Sequence, residues 1–135
     1  MIGETVSTAL LQKALDGTWQ RQRAISDNIA NHETPGYKAK KVSFENILAK
    51  EAKKLTNKFD NGQGMDNASA MQKIEDVHVT EYETSNTTER ADGNNVDLDL
   101  ENIEMAKTQI QYQYLVRSLT DTYSRLRYAI SEGRK

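Results

Sequence analysis

The chain of 135 residues has no cysteine, which removes disulfides, zinc thiolates and thiol nucleophiles together. With two histidines and aromatics at 7%, it has little material for imidazole chemistry or for stacking on bases. No apolar run approaches the length of a membrane helix. The opening MIGETVSTALLQKALDG has neither the basic start nor the cleavage site of a secretory signal, so export would need a specialised route. Neither sign of charge dominates: 18 Lys and Arg against 20 Asp and Glu leave −2, and no nucleic-acid partner is expected from that balance. The lysines at 38, 40, 41, 50, 53, 54 and 58 cluster, but no aromatic series interleaves with them, and they read as a solvated face. Core material is scarce too. Hydrophobic residues make up 36% against 28% charged, so the apolar stripes are expected to be completed by another chain.

Constellations for catalysis are equally thin. His32 and His78 have no ligand set at helical spacing around them, and they read as surface histidines rather than a metal site. The glycines of NGQGMD, Asn61 to Asp66, follow no buried strand and suit a loop better than a phosphate cradle. Asp92, Asn94, Asp97 and Asp99 lack the spacing and terminal bidentate glutamate of a calcium loop, and Asp97 with Asp99 suits a helix start. No catalytic, cofactor-binding or metal-ligating residue is assigned, and no cofactor or small-molecule substrate is expected.

What is present is helical periodicity at both ends. Leu11, Leu15, Thr18, Gln22, Ile25 and Ile29 recur at alternating spacings of four and three, the seam of a coiled coil, with Thr18 and Gln22 as polar positions. Met105, Tyr112, Val116, Leu119, Tyr123, Leu126 and Ile130 form a second seam, with Arg125, Arg127, Arg134 and Lys135 towards its C-terminal end. Asp97 or Asp99 can cap that helix.

Between the ends, Asn31 can take the left-handed conformation that stops a helix, and Pro35-Gly36, with the only proline, predicts a type II turn. Ser43 can cap a short helix with Phe44, Ile47, Leu48, Ala52 and Leu55 on one face. Asn57 to Lys73 reads as a loop and Ala91 to Asn95 as a turn, while Val77 to Thr84 suggests a short strand or hairpin arm. The expected organisation is mainly α, one structural unit in four segments. These are an N-terminal seam helix over 1–31, a turn motif and amphipathic helix over 32–56, a flexible variable middle over 57–95, and a C-terminal seam helix over 96–135.

DNIANHETPGYK, Asp27 to Lys38, resembles the signature that bacterial flagellar axial proteins carry near their N-termini; these are the rod, hook and junction subunits. In it Asn28 to Asn31 close the first helix and Thr34, Pro35, Gly36 and Tyr37 form the turn motif. DGNNVDLDLE, MAKTQIQYQYLVRSL and LRYAI are similar to the C-terminal helix of the same subunits. Asn102 departs from the methionine more usual there. The resemblance spans roughly the first and last thirds of the chain, and two matched ends in order are more specific than either alone.

The resemblance implies a non-enzymatic proximal rod subunit, exported by the flagellar type III apparatus and assembled helically through its terminal helices to transmit torque. The implied location is the basal body on the periplasmic or cell-envelope side of the inner membrane. The implied partners are further copies, FlgC-like and FlgF-like rod subunits, a FliE-like adaptor, and membrane-ring and export-gate proteins. Alternatives are another axial subunit such as a FlgC-like rod protein, or a cytosolic helical secretion adaptor. The lysines after the turn, Lys38 and Lys40, are expected to meet acidic surface on a neighbour.

Overall fold

The computed structural model describes residues 2–62, 66–85 and 90–133. Its elements run α1 (Ile2–Ala30), β1 (Lys40–Ser43), α2 (Glu45–Asp60), α3 (Asn67–Glu75), β2 (Thr80–Glu83) and α4 (Leu98–Glu132). The protein is mainly α, and its small sheet is the antiparallel pair β1–β2, with Lys40 opposite Glu83 and Ser43 opposite Thr80.

The proline-free stretch that forms α1 serves as the hub, because its two apolar faces are used by different partners. One face carries the first predicted seam and meets α4. Thr18 and Ile25 are buried there, and Leu11, Leu15, Gln22 and Ile29 are half-buried. The other face packs on the middle of the chain. Val6 and Ala9 join Leu55, Ala70 and Ile74 in one cluster, and Ala24 joins Val42 and Phe44 in a second. The Thr18 hydroxyl donates to the Ala14 carbonyl, so a fully buried polar side chain is satisfied within its own helix and lets the neighbouring helix approach closely.

Asp97 starts α4 by accepting from the amides of Asp99 and Leu100, and Asp99 and Glu101 add negative charge where the helix dipole is positive. The helix runs antiparallel to α1. Gln12 reaches the Tyr123 hydroxyl at 3.0 Å, Arg21 reaches Gln111 at 3.4 Å, and Asn28 reaches Glu101 at 3.1 Å. The side turned to α1 lies beside the predicted stripe rather than on it. Glu101, Thr108 and Leu115, seven residues apart, are buried, whereas Met105, Leu119 and Leu126 are half-buried and Tyr112, Val116, Tyr123 and Ile130 are exposed. Two of the three buried positions are satisfied polar side chains, Glu101 and Thr108, with Leu115 the third, and most of the larger apolar side chains of α4 stay at the rim or outside.

The middle differs from expectation in three places. Ser43 ends β1 instead of capping a helix; α2 starts after it at Glu45, and the Leu48 amide closes the first turn on the Phe44 carbonyl. Lys40–Ser43 becomes a strand because β2 falls inside the segment read as a strand arm and supplies its partner. The stretch Asn57–Lys73, read as loop, is largely helical, and α2 runs on to Asp60. Helix α3 begins at Asn67 and continues past the stretch to Glu75, anchored by the fully buried Ala70 and Ile74. That helix is short, so tertiary burial rather than propensity maintains it. Residues 63–65 of that loop expectation, residues 86–89 of the variable middle, and Arg134 and Lys135 lie outside the described residues.

Candidate functional site

The turn motif is built into the end of the α1–α4 pair. Among the described residues only glycines have positive φ, so Asn31 does not stop α1 by a left-handed conformation. Its side-chain amide instead donates to the Asp27 carbonyl at 2.8 Å, and its side-chain oxygen accepts from the Thr34 hydroxyl at 3.1 Å. This satisfies a terminal carbonyl of the helix while keeping right-handed backbone. The next residues form the expected type II turn: Gly36 sits at φ +73°, and the Tyr37 amide donates to the Thr34 carbonyl at 3.3 Å.

Three asparagine side chains then clasp this turn to the strand and to the approach of α4. Asn28, fully buried, donates to the Lys40 carbonyl at 2.8 Å and to the Glu101 carboxylate at 3.1 Å. Its oxygen accepts from the Lys40 amide at 2.8 Å and the Tyr37 hydroxyl at 3.2 Å, which uses both donors and both acceptor positions. Asn94, also fully buried, donates to the carbonyls of Asn31 and Thr34 at 2.9 and 2.8 Å and accepts from the Val96 amide. Asn95 accepts from the Ala39 amide at 2.6 Å and donates to the Thr84 carbonyl at 2.7 Å. Backbone bonds from Gly36 to Asp92 and from Asn95 to Tyr37 complete the clasp, and Arg90 reaches the His32 carbonyl.

The electrostatics follow from burial. Glu101 is only 4% exposed, and burial pushes its carboxyl above the ordinary carboxylate range, against the opposing hydrogen bond from Asn28. Burial likewise raises the Tyr37 phenol. At Glu45 burial pushes upward, but hydrogen bonding and charge from Arg21 outweigh it and hold the carboxyl below its usual value. The two lysines expected to face a neighbour are engaged within the chain: Lys38 donates to the Gly93 carbonyl at 2.8 Å, and Lys40 pairs with Glu81 at 3.2 Å. Among the described residues no group of three His, Asp or Glu side chains is placed to hold a metal ion.

The residues singled out from sequence therefore separate into three groups. Asn28, Asn31, Thr34, Gly36 and Tyr37 come together in the clasp, with Pro35 exposed at its tip. Leu11, Leu15, Ile25, Ile29, Leu119 and Leu126 lie along the α1–α4 pair, buried or half-buried. Tyr112, Val116, Tyr123 and Ile130 form an exposed apolar row along α4, and Ile103, Ile110, Tyr114 and Tyr128 form a second row on another side of the same helix. Sequence reasoning missed Asn94, Asn95 and Glu101 as partners of the motif. ADGNN reads only as a turn, and Glu101 only as a helix-start charge, because the residues between Asn28 and Ala39 that they bind lie more than fifty positions earlier in the chain, as the 73-residue separation of Asn28 and Glu101 illustrates.

Comparison with known proteins bears on the same residues. The family model described as flagella basal body rod protein matches residues 11–38, which run from the first seam to the end of the turn motif. The chain is 35% identical to the flagellar basal body rod protein FlgB of Bacillus subtilis (strain 168) over 124 residues, covering 92% of each chain. It is 28% identical to FlgB of Escherichia coli (strain K12) over 132 residues, covering 90% of this chain and 91% of the relative. With FlgB of Borreliella burgdorferi it shares 34% identity over 105 residues, 75% of this chain and 78% of the relative. With one relative above 30% identity over nearly its whole length, and a family signature lying on the clasp, the chain belongs to the FlgB family of flagellar basal body rod proteins.

Proposed function

We propose that the chain is a structural subunit of the flagellar basal-body rod that reaches its site through the flagellar type III apparatus, assembles helically through its terminal helices and transmits torque. Its partners in this reading are further copies, FlgC-like and FlgF-like rod subunits, a FliE-like adaptor, and the membrane-ring and export-gate proteins, on the periplasmic or cell-envelope side of the inner membrane. No catalytic role is assigned. The observation that carries the reading is the exposed apolar surface of α4, even though the Tyr123 hydroxyl at its edge also reaches Gln12 of α1. A helix of 35 residues buries only Glu101, Thr108 and Leu115 among its described side chains, yet exposes Tyr112, Val116, Tyr123 and Ile130 along one side and Ile103, Ile110, Tyr114 and Tyr128 along another. Such rows are costly in water and suit burial against other subunits' helices. The clasp supplies what a load-bearing subunit needs at that end, since it ties the α1 terminus, the turn and the start of α4 by hydrogen bonds that resist relative sliding.

The test is a charge in the exposed row. Val116→Asp and Ile130→Asp should leave the purified subunit folded, because neither side chain is buried in it, and should leave export from the cytoplasm intact. Each should abolish rod assembly and swimming, a charge in an assembled apolar seam costing about 3 kcal/mol or more. Normal swimming of either variant at normal subunit levels would overturn the assignment of this row to assembly.

A further inference from the structure

A separate feature, independent of the rod reading, concerns slow covalent chemistry at the end of α2. We propose that Asn61 is a site of spontaneous deamidation, and that the fold protects the two other residues of matching chemistry, Asp16 and Asp92. In this reaction the backbone nitrogen of the following residue attacks the side-chain carbonyl carbon. A C–N bond forms as the backbone nitrogen gives up its proton to water, the bond to the side-chain amide nitrogen breaks, and ammonia leaves carrying a proton returned by water, so the ring closure is balanced. The resulting five-membered succinimide adds water at either carbonyl and opens to aspartate or to isoaspartate. Water is the only co-reactant and ammonia the only leaving group, with no change of oxidation state. Aspartate reaches the same ring by losing water, so an Asp-Gly pair isomerises by the same geometry. Both reactions are fastest where the following residue has no side chain, and both need a backbone free to bring its nitrogen onto the carbonyl carbon.

The sequence has one Asn-Gly pair, Asn61-Gly62, and two Asp-Gly pairs, Asp16-Gly17 and Asp92-Gly93. The structure treats them differently. Gly17 lies in the interior of α1 with its Cα against the buried Phe44 ring, so its amide is locked in the helical ladder. The Gly93 amide is held by the Arg90 carbonyl at 2.8 Å, the Asp92 carboxylate accepts from the Asn94 amide at 3.1 Å, and the Gly36 backbone lies 3.5 Å from where a Gly93 Cβ would stand. Asn61 is exposed just beyond α2, and among the described residues its side-chain amide has no hydrogen-bond partner. Gly62 has φ +66° and open space where a Cβ would be. Among the described residues, only the backbone amide of Asn61 ties the pair to the helix, through one bond to the Asn57 carbonyl at 3.2 Å. The buried asparagines are restrained, since Asn28, Asn94 and Asn95 each use the side-chain amide in the clasp.

The product also alters its surroundings. A carboxylate at this point adds negative charge beside Asp60 at the C-terminal end of α2, where the helix dipole disfavours it, and isoaspartate lengthens the main chain by one carbon. Both weaken the last turn of α2.

The experiment uses the full chain, purified and folded, incubated at mildly alkaline pH with a parallel sample in concentrated urea; peptides are followed over time by chromatography and mass spectrometry. The Asn61 peptide should convert to two acidic isomers in the folded sample, while the Asp16 and Asp92 peptides stay single there and isomerise only in urea. Gly62→Ala should slow conversion at Asn61 by on the order of tenfold, because the added methyl restricts approach of the nitrogen. An Asn61 amide that survives in the folded sample while converting in urea would overturn the proposal. So would isomerisation of Asp92 in the folded sample as fast as conversion of Asn61.

Discussion

Gly17→Ala sets two effects of opposite sign against each other at one atom. Glycine in a helix interior costs about 1 kcal/mol relative to alanine, so propensity alone predicts that the substitution stabilises α1. The structure predicts the reverse. A Cβ built on Gly17 would stand 2.5, 2.6 and 2.7 Å from three carbons of the Phe44 ring, where ordinary contact begins near 3.4 Å. The ring has little room to withdraw. It is 2% exposed, packs with Ala24 and Val42, and has the Arg21 guanidinium 4.9 Å from its centroid. Arg21 is itself held by Glu45 and by the Val42 carbonyl, so moving the ring disturbs β1 and the start of α2 together. Overpacking of this kind costs about 1–3 kcal/mol, and full expulsion of the ring would cost about 3–5 kcal/mol, as for removing a buried phenylalanine.

Set against the propensity gain of about 1 kcal/mol, overpacking leaves a net loss of up to about 2 kcal/mol and expulsion about 2–4 kcal/mol. A net loss of about 2 kcal/mol is expected, read as a fall in melting temperature of roughly 6–10 °C for a chain of this size. The assay is thermal and urea unfolding of the purified subunit, followed by circular dichroism. The control is the same substitution in a Phe44→Ala background. There the steric conflict is gone and Gly17→Ala should stabilise by about 1 kcal/mol, so the sign of the effect reverses between backgrounds. A Gly17→Ala protein that melts at or above the wild-type temperature would refute the close packing of Phe44 on α1.

Two further predictions concern the clasp. Asn28→Ala leaves the Tyr37 hydroxyl, the Lys40 backbone groups and the Glu101 carboxyl without their buried partner, and it should destabilise the subunit by about 3 kcal/mol or more; a loss below 1 kcal/mol in urea unfolding would contradict the network. Glu101, whose folded carboxyl titrates above its unfolded value, binds its proton more tightly in the native state. Its contribution to stability is therefore present below the unfolded value and lost as pH rises through the folded one, opposite in sign to Glu45, whose contribution is lost as pH falls. Stability measured from mildly acidic to neutral pH should accordingly decline more steeply in the wild type than in Glu101→Gln, and identical slopes would refute the burial argument.

Local chemistry carried much of this protein in its sequence. The two long helices follow from seam spacing without proline, the turn follows from Pro35-Gly36, and the start of α4 follows from the capping chemistry of Asp97, because each depends on neighbours within a few positions. Tertiary structure decided the rest. Asn67–Lys73 is polar enough to read as loop, and it is helical because Ala70 and the adjoining Ile74 find Leu55 and Val6. Lys40–Ser43 is a strand only because Thr80–Glu83 pairs with it. Which side of α4 meets α1 was likewise invisible, since Glu101 and Thr108 are polar and carry no seam signal until Asn28 satisfies one and the helix backbone satisfies the other. Periodicity reports which side chains avoid water; only the folded chain shows which buried polar groups have found partners distant in sequence, and those partners place the seam.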